Sequence, residues 1–523
     1  MRAARHVWPG MALVALFLSG MVLVGCTDEE IVFRDRPLFD DPPSGAAAFL
    51  GYSDQDDKFT VCGNCHIGSQ SGWETTGHAD AWEGLQASGH AEEFCEGCHT
   101  VNELGNPAEG EVAWTATGDS AYLDVQCESC HGPGQGHVEN PEAGQPLANL
   151  SIKQVGGLEA ETGCAECHQG THHPFVDQWL ASAHGNVTSF AAGRAGCNSC
   201  HEGKAALAAQ FNVDAEYAEV DDSEVMQITC GVCHDPHGSQ FSANLRASLE
   251  EPSRENLCVG CHARQGTPNT GSGNEHGPHA YQGLLVLGED AGWIPPGSDL
   301  GQVGQIVSTH GSEANPRLCA TCHVVENEIT DAETGEFLVQ SVGHTFEAIP
   351  CLGDDGLPRE GCTLDERNFQ ACTGGGCHGT AQAARSAFLT TRTRLNNLLD
   401  ELWADTDGDH VLEPSDGGLL PAVMAQEGVE EVNVLDSQFT TAEGAIWNAQ
   451  IAYTSQRTHW GDASLPNGDH FGAHKGSGEG VHNPFLLEAL LTASINAVEN
   501  EYGVSASVST DIQAQRPPGV HLR

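Results

Sequence analysis

Cysteine pairs followed directly by a histidine recur along this 523-residue chain. Eight of them have the spacing C-x-x-C-H: Cys62/Cys65/His66, Cys95/Cys98/His99, Cys127/Cys130/His131, Cys164/Cys167/His168, Cys197/Cys200/His201, Cys230/Cys233/His234, Cys258/Cys261/His262 and Cys319/Cys322/His323. In this pattern two thiols add to the two vinyl groups of a haem, and the adjacent histidine ligates the iron. Zinc, the main alternative, needs two C-x-x-C pairs, or one C-x-x-C pair with two later histidines separated by three to five residues, rather than a histidine after every pair. The motifs therefore predict eight haems c with these histidines as proximal ligands.

A ninth motif is longer, with four residues between Cys372 and Cys377 before His378. Three of those four residues are glycines, and glycine tolerates the backbone angles that a looped-out segment requires. We interpret this motif as a ninth haem site. The alternative is a disulfide or free thiol pair beside an incidental histidine.

The N-terminus predicts export. Arg2 and Arg5 precede an apolar run over 11–24, which is too short for a stable membrane span. The run ends at Cys26 in the sequence Leu-Val-Gly-Cys, which resembles a bacterial lipoprotein box. That resemblance implies cleavage after residue 25, lipidation of Cys26 and, with Thr27 next, anchoring at the outer membrane. An ordinary secretory signal is the alternative.

Two cysteines remain after these assignments. Cys351 and Cys362 lie in a Gly/Asp-rich stretch, and neither is followed by histidine. Exported proteins retain disulfides, so we predict that these two form one.

The charge balance excludes one class of partner. Lys and Arg number 21 against 73 Asp and Glu, a formal net charge of -52. A nucleic-acid-binding protein needs clustered cations to contact phosphates, so that class is excluded. The acidic surface fits either docking to a basic redox partner or solvation in salt.

Spacing of the motifs predicts the architecture. The first cysteines advance by 33, 32, 37, 33, 33 and 28 residues, and then by 61 and 53. Leu, Ile, Val and Phe make up only about a fifth of the chain, close to the composition of disordered proteins. We therefore expect a mainly α fold with extensive irregular loops and little β-sheet, in which haems pack as the core. The predicted parts are a signal peptide (1–25), an acidic tether (26–58), a multihaem array (59–379) and a helical C-terminal region (380–523).

The sixth iron ligand is predicted to be histidine in most sites. Beyond residue 25 only Met226 and Met424 could supply methionine, whereas seventeen histidines remain outside the motifs. Small residues precede histidine in a recurring context that contains His78, His90, His184 and His310. Other distal candidates are His137, His237, His279 and His344, with His172, His173 and His276 left as open alternatives. Bis-histidine ligation lowers the reduction potential relative to methionine–histidine ligation.

One distal candidate comes from a resemblance. Gly480-Val481-His482-Asn483-Pro484 precedes an apolar helical pattern and resembles the end of the ammonia-forming nitrite reductases and related multihaem cytochromes. The resemblance implies that His482 is a distal ligand. Asn483 should cap the helix, Pro484 should occupy its first turn, and Gly503 should end it.

An acidic stretch over 405–416 follows the ligand rhythm of an EF-hand loop. The predicted calcium ligands are Asp405, Asp407, Asp409, Val411, Glu413 and Asp416. His410 replaces the usual glycine, and Asp416 replaces the bidentate glutamate. We expect a weak structural calcium site; the alternative is a solvated acidic turn.

Over most of residues 59–500 the chain resembles the multihaem c-type cytochromes of respiratory electron transfer, including cytochrome c3-like, c554-like and outer-membrane metal-reducing kinds. The resemblance implies a chain of nine mostly bis-histidine haems that carries electrons to or from other cytochromes, with self-assembly as a further possibility and no catalytic residue. The alternative is a reductase of a small nitrogen or sulfur oxyanion at one open haem. The C-x-x-C-K motif of nitrite reductases is absent from this sequence.

Overall fold

The computed structural model describes residues 49–101, 113–139, 141, 164–170, 172–186, 189–213, 225–268, 277–298, 300, 306–426, 432, 439–465 and 471–505. Cys26, the signal peptide and most of the tether lie outside these ranges. No helix within them is long and apolar enough to cross a membrane.

Short helices and turns carry the motif region. Its α-helices are α1 Ile67–Trp73, α2 Ala81–Ala87, α3 Glu96–His99, α4 Trp114–Thr117, α5 Cys127–His131, α6 Gln135–Glu139, α7 Phe175–Leu180, α8 Ser189–Ala192, α9 Asn198–His201, α10 Gly203–Phe211, α11 Cys230–Cys233, α12 Gln282–Leu287 and α13 Ala320–His323. Short 3₁₀ turns lie at Cys62–Asn64, Glu93–Cys95, Ser120–Tyr122, Cys164–Glu166, Ser242–Asn244, Thr309–Gly311, Leu364–Glu366 and Gln370–Gly376.

The described strands form two small sheets. Strand β1 (Tyr52–Asp54) pairs antiparallel with β2 (Phe59–Thr60), and β3 (Asn327–Thr330) pairs antiparallel with β4 (Phe337–Ser341). In the second sheet Glu328 lies opposite Gln340. The predicted fold class, mainly α with irregular loops and little sheet, is confirmed.

Longer helices build the C-terminal region: α14 Ala381–Leu402, α15 Leu419–Met424, α16 Thr441–Ala452 and α17 Pro484–Tyr502, with a 3₁₀ turn at Thr458–Trp460. The predicted ends of the last helix are confirmed. The Asn483 side chain accepts a hydrogen bond from the Leu486 N–H, Pro484 is the first helical residue, and Gly503 follows in the left-handed conformation.

Apolar packing is uneven along the chain. The largest buried cluster joins helices α14–α17, in which every residue of α16 is buried, to Tyr281 and Leu285 of the motif region. Clusters elsewhere in the described motif region contain three or four buried residues each. The motif region therefore has little apolar core of its own, as its composition predicts.

The body of the protein begins before the predicted end of the tether. A buried carboxylate, Glu128, accepts hydrogen bonds from the backbone N–H groups of Leu50 (2.7 Å), Gly51 (2.8 Å) and Gly134 (2.7 Å). Phe49 is also buried. Residues 49–51 are thus packed against the third motif.

Candidate haem attachment sites

The nine motifs are numbered here in chain order as sites 1 to 9, with first cysteines Cys62, Cys95, Cys127, Cys164, Cys197, Cys230, Cys258, Cys319 and Cys372. In a helical turn, residues three and four positions apart share one face. The backbone N–H of the motif histidine donates to the carbonyl of the first cysteine in at least six of the eight short motifs, for example from His234 to Cys230 at 2.8 Å. Both thiols and the imidazole are thereby directed to the same side.

The second cysteines of sites 3 and 4, Cys130 and Cys167, are half-buried and are predicted to form thioether bonds to haem. Cys130 lies in α5, and the Cys167 thiol also contacts the thiol of Cys98 at site 2. Their thioether bonds, like those of the other motif cysteines, are predictions, which the masses of the haem-bearing peptides would test.

The longer ninth motif keeps the same closing bond. The N–H of His378 donates to the carbonyl of Cys372 at 3.3 Å, although two more residues lie between them than in the short motifs. The 3₁₀ turn over Gln370–Gly376 accommodates those residues. This local geometry fits a haem site as well as the short motifs do.

Motif histidines face distal candidates at one recurring distance. A metal-bound imidazole nitrogen lies about 2 Å from its metal, so two rings on opposite sides of one iron have centroids roughly 6 Å apart. Eight pairs lie 5.9–6.4 Å apart: His66/His137, His78/His168, His131/His237, His184/His262, His201/His279, His234/His344, His310/His378 and His323/His482. Each pair joins one motif histidine to one distal candidate.

Backbone carbonyls fix how these rings are oriented. The Nδ1–H groups of His99, His234 and His323 donate to the carbonyls of Ala81, Ala243 and Phe346 at 2.7–2.8 Å. Those of the distal His310 and His482 donate to Val481 (2.7 Å) and Gly476 (2.5 Å). A proton held on Nδ1 leaves the Nε2 lone pair available to iron.

Burial favours the neutral form of several paired rings. Desolvation, together with a nearby histidine, lowers the pKa of His131, His184 and His482 to about 4. Only the neutral imidazole can ligate iron, so this burial favours the ligating form.

Two tryptophans position the segments that contain the recurring histidine context. The indole N–H of Trp73 donates to the Val125 carbonyl at 2.9 Å, and that of Trp179 donates to the Ile228 carbonyl at 2.8 Å. Both acceptors lie two residues before a motif cysteine. The tryptophans therefore hold His78 and His184 beside neighbouring motifs.

His90 has the same local context but a different position. Leu85 replaces the tryptophan and has no indole N–H to donate, so this bond to a later motif is missing. His90 is exposed, and its N–H bonds locally to Ser88. Among the described residues no histidine ring faces His90.

Site 2 differs from the other eight sites. No described ring pair at the 6 Å spacing includes its motif histidine, His99. His173 interacts electrostatically with His99, while its ring lies 6.2 Å from His168. His172 contacts Phe94, one residue before Cys95. His172 and His173, which the sequence left undecided, are thus the histidines that the structure places near site 2.

The structure joins Cys351 and Cys362 in a disulfide with a Cα–Cα distance of 6.4 Å. The bond closes a turn that precedes site 9. The Arg359 backbone N–H donates to the Cys351 carbonyl across this turn.

The acidic loop gathers three of its predicted ligands. Carboxylate oxygens of Asp405, Asp407 and Asp416 lie within 4.8 Å of one another. Asp416 also accepts from the indole N–H of Trp403 at 2.8 Å, and His410 has a left-handed φ of 62° at the usual glycine position. Two other predicted ligands make local hydrogen bonds instead. The Asp409 carboxylate accepts a hydrogen bond from the Val411 N–H, and the Glu413 carboxylate accepts one from the Ser415 hydroxyl.

Sequence reasoning missed several residues around these sites. His474 packs edge-on against the distal His279 with centroids 4.5 Å apart. Phe346 contacts both His184 (4.6 Å) and His344 (5.5 Å). No local pattern marks these residues, because their contacts come from distant parts of the chain.

The fit of haem to these residues follows from the geometry. Paired thiols stand one helical turn apart, and eight imidazole pairs have the spacing that one iron requires. The surrounding region has little apolar core of its own, so a large apolar group bound there would add to that core. Bound haem would supply one-electron Fe(III)/Fe(II) chemistry, while the chain fixes its ligands and environment.

Comparisons with known proteins agree with this geometry. Residues 223–267 match the family described as doubled CXXCH motif, and residues 61–132 match the family described as cytochrome c554 and c-prime. The chain is 26% identical over 258 residues to the multiheme cytochrome MtrA of Shewanella baltica, covering 46% of this chain and 68% of that protein. It is 28% identical over 216 residues to the C-type polyheme cytochrome OmcC of Geobacter sulfurreducens, covering 34% of this chain and 27% of that protein.

No solved structure matches the chain significantly. The motif families cover the region in which thiols and imidazoles are brought together, and both relatives are named for several haems. Together with the ring spacing and the thiol positions, the matched families and relatives support a multihaem c-type cytochrome that binds haem c and transfers electrons.

Proposed function

We propose that the chain binds nine haems c and carries electrons in respiratory or extracellular electron transfer. The observation that carries the proposal is the set of eight histidine pairs at 5.9–6.4 Å, because each pair would supply both axial ligands of one bound iron. A six-coordinate iron exchanges electrons without binding a substrate. The distal ligands in this proposal are the eight paired candidates, with His173 in place of His90 for site 2.

The location and partners complete the proposal. The chain is anchored at the outer membrane through lipids on Cys26 and exchanges electrons with other cytochromes. Its net charge of -52 favours a partner with a basic docking surface. Calcium bound by Asp405, Asp407 and Asp416 stabilises the loop that joins α14 to α15.

Haem counting and EPR on the same purified, oxidised sample test the proposal. We expect nine haems per chain by mass and only low-spin iron. If the wild-type chain binds eight haems, and a variant lacking Cys372 and Cys377 also binds eight, a ninth haem site is excluded. Labelling the protein with radioactive palmitate tests the anchor, with Cys26→Ser as the unlabelled control.

One observation favours a second function. Among the described residues site 2 has no ring pair at the spacing of the other eight, so an iron bound there is the one that could keep an open position. A reductase of a small nitrogen or sulfur oxyanion would use that site. High-spin iron in the wild-type protein that disappears in a variant lacking Cys95 and Cys98, together with nitrite or tetrathionate reduction, would favour this function.

A further inference from the structure

Thiols of different motifs contact one another, and the order of contacts is not the order of the chain. Five contacts join sites 1 and 3, 2 and 4, 4 and 6, 5 and 7, and 7 and 8. The pairs are Cys62/Cys127, Cys98/Cys167, Cys164/Cys230, Cys200/Cys261 and Cys258/Cys319. Four of the five connect motifs that are not consecutive in the sequence.

Distal histidines supply a further link. His237, which faces His131 of site 3, follows His234 of site 6 by three residues. One short segment therefore serves both sites, and sites 3 and 6 are neighbours. In the same way His137, which faces His66 of site 1, follows His131 of site 3, in agreement with the thiol contact between these two sites.

Aromatic side chains join site 6 to two other sites. Phe346 lies between His184, the distal residue of site 7, and His344, the distal residue of site 6. Phe175 contacts His344 at 5.0 Å and His168 of site 4 at 5.5 Å. Site 6 thus borders sites 3, 4 and 7.

The last link joins sites 8 and 9. The Nδ1–H of His310, distal residue of site 9, donates to the carbonyl of Val481, which directly precedes His482, the distal residue of site 8. Site 7 therefore borders sites 5, 6 and 8, while site 9 borders site 8.

We propose that the nine attachment sites form a branched network in which sites 6 and 7 are junctions, each bordering three other sites. The trunk runs through sites 1, 3, 6, 7, 8 and 9; sites 4 and 2 branch from site 6, and site 5 branches from site 7. This proposal rests on the proposed function and deepens it. Electron tunnelling weakens steeply with distance, so neighbouring sites set the route, and the network has four ends, at sites 1, 2, 5 and 9.

The exposure of the motif cysteines agrees with a trunk that ends at sites 1 and 9. Cys65 of site 1 and Cys377 of site 9 are exposed, whereas every other motif cysteine is partly buried. The two ends of the trunk thus lie nearest the solvent. A branched network with several ends can receive electrons at one surface and deliver them to partners at others.

Iron positions in the haem-loaded full chain test the proposal directly. Cryo-EM density, or anomalous diffraction at the iron edge, should show the irons of His234 and His262 each with three close iron neighbours. Irons that follow chain order, or a site 7 iron with only two neighbours, would overturn the proposal. The number of irons is a separate result: fewer than nine would contradict the nine-haem function and leave the neighbours of sites 6 and 7 to be judged independently.

A photochemical experiment tests the route in solution. A ruthenium photosensitiser on Gln382→Cys, an exposed residue beside site 9, injects an electron, and His279→Met at site 5 makes a trap of raised potential. Removal of site 8 (Cys319→Ala with Cys322→Ala) should abolish trapping. Removal of site 6 (Cys230→Ala with Cys233→Ala) should leave trapping intact, since the electron passes from site 7 to site 5. Loss of trapping in both variants would support a relay in chain order instead, provided that retained visible spectra show that both variants fold. If the site 6 variant does not fold, the iron positions decide between the two routes.

Discussion

The imidazole rings of His131 and His237 are parallel to within 2°, with centroids 6.1 Å apart, although they belong to different motif regions. The His131 ring is half-buried and the His237 side chain is exposed, with the Asp235 carboxylate 3.8 Å from Nδ1 of His237. The pair has the arrangement expected for two axial ligands of one iron, so each ring would hold the haem of site 3 from one side.

Replacing His237 should open one coordination site. In His237→Ala we expect nine haems to remain, because both thioether bonds of site 3 are intact, and one iron per chain to become high-spin. In His237→Met that iron should stay low-spin with a raised potential. EPR and a redox titration measure both effects.

His90→Ala is the matched control. Its ring is exposed and no described histidine ring faces it, so spin state and potentials should stay as in the wild type. High-spin iron in His90→Ala would show that His90 is a ligand after all and would contradict the assignment of His173 to site 2.

These two histidines also show how far the sequence could predict the sites. The motif spacing marks every candidate thiol and proximal histidine, because one helical turn is a local property. The small-residue context found His78 and His184 but also included His90, since a local pattern cannot show whether a tryptophan anchors the segment to a later motif. The partner of each motif histidine, such as His237 for His131, depends on tertiary packing and could not be assigned from spacing.

The same limit applies to the thiols. The motif marks Cys130 and Cys167 as thioether-forming residues of sites 3 and 4, and both are half-buried in the structure. The motif gives no sign that Cys167 contacts Cys98 of site 2, because that contact joins two separate motifs through tertiary packing.

Glu128 should make stability depend on pH. Burial raises its pKa to about 7, although hydrogen bonds from Leu50, Gly51 and Gly134 favour the charged form. The folded state therefore binds a proton more tightly than the unfolded state, and stability should fall as pH rises from about 4.5 to about 7, by about 3 kcal/mol in total. Denaturation of the haem-loaded protein between pH 4.5 and 8 measures this slope.

Glu128→Gln should remove that slope, because the amide does not titrate. Its Nε2 group would also face a backbone N–H, so the variant should be less stable than the wild type at pH 5. Glu92→Gln, at an exposed position, is the control and should keep the wild-type slope. An unchanged slope in Glu128→Gln would show that another group titrates.

Calcium should stabilise the C-terminal helices. Extracellular calcium sites bind with dissociation constants of about 10⁻⁴–10⁻³ M, so 10 mM calcium should add about 1.5–3 kcal/mol of stability. Asp407→Asn should abolish this gain without unfolding the loop, because Asp407 is exposed and bonds only to the Asp409 N–H. Calorimetric titration and melting curves measure the effect, with exposed Asp354→Asn as control; equal gains in both variants would point to nonspecific binding.

The disulfide should stabilise the turn before site 9. Closing a loop of this length, with Cys351 and Cys362 separated by 11 positions, lowers the entropy of the unfolded chain by the equivalent of about 3 kcal/mol. The double variant Cys351→Ser with Cys362→Ser should therefore melt at a lower temperature and keep its haem count. Peptide mapping without reductant checks the bond itself, since free alkylation of both thiols in the wild type would exclude it.

Without haem, the two regions of the chain should behave differently. The motif region buries only small apolar clusters, so it cannot offset the conformational entropy of ordering its loops. Helices α14–α17 share one large buried cluster with Tyr281 and Leu285 and have more apolar contact to stabilise them. Hydrogen–deuterium exchange on chain produced without haem maturation should show protection confined to 381–502 and its contacts, while the haem-loaded chain is protected in both regions. Native-like protection around Cys127 or Cys230 in the haem-free chain would show that the polypeptide alone supplies the core of the motif region.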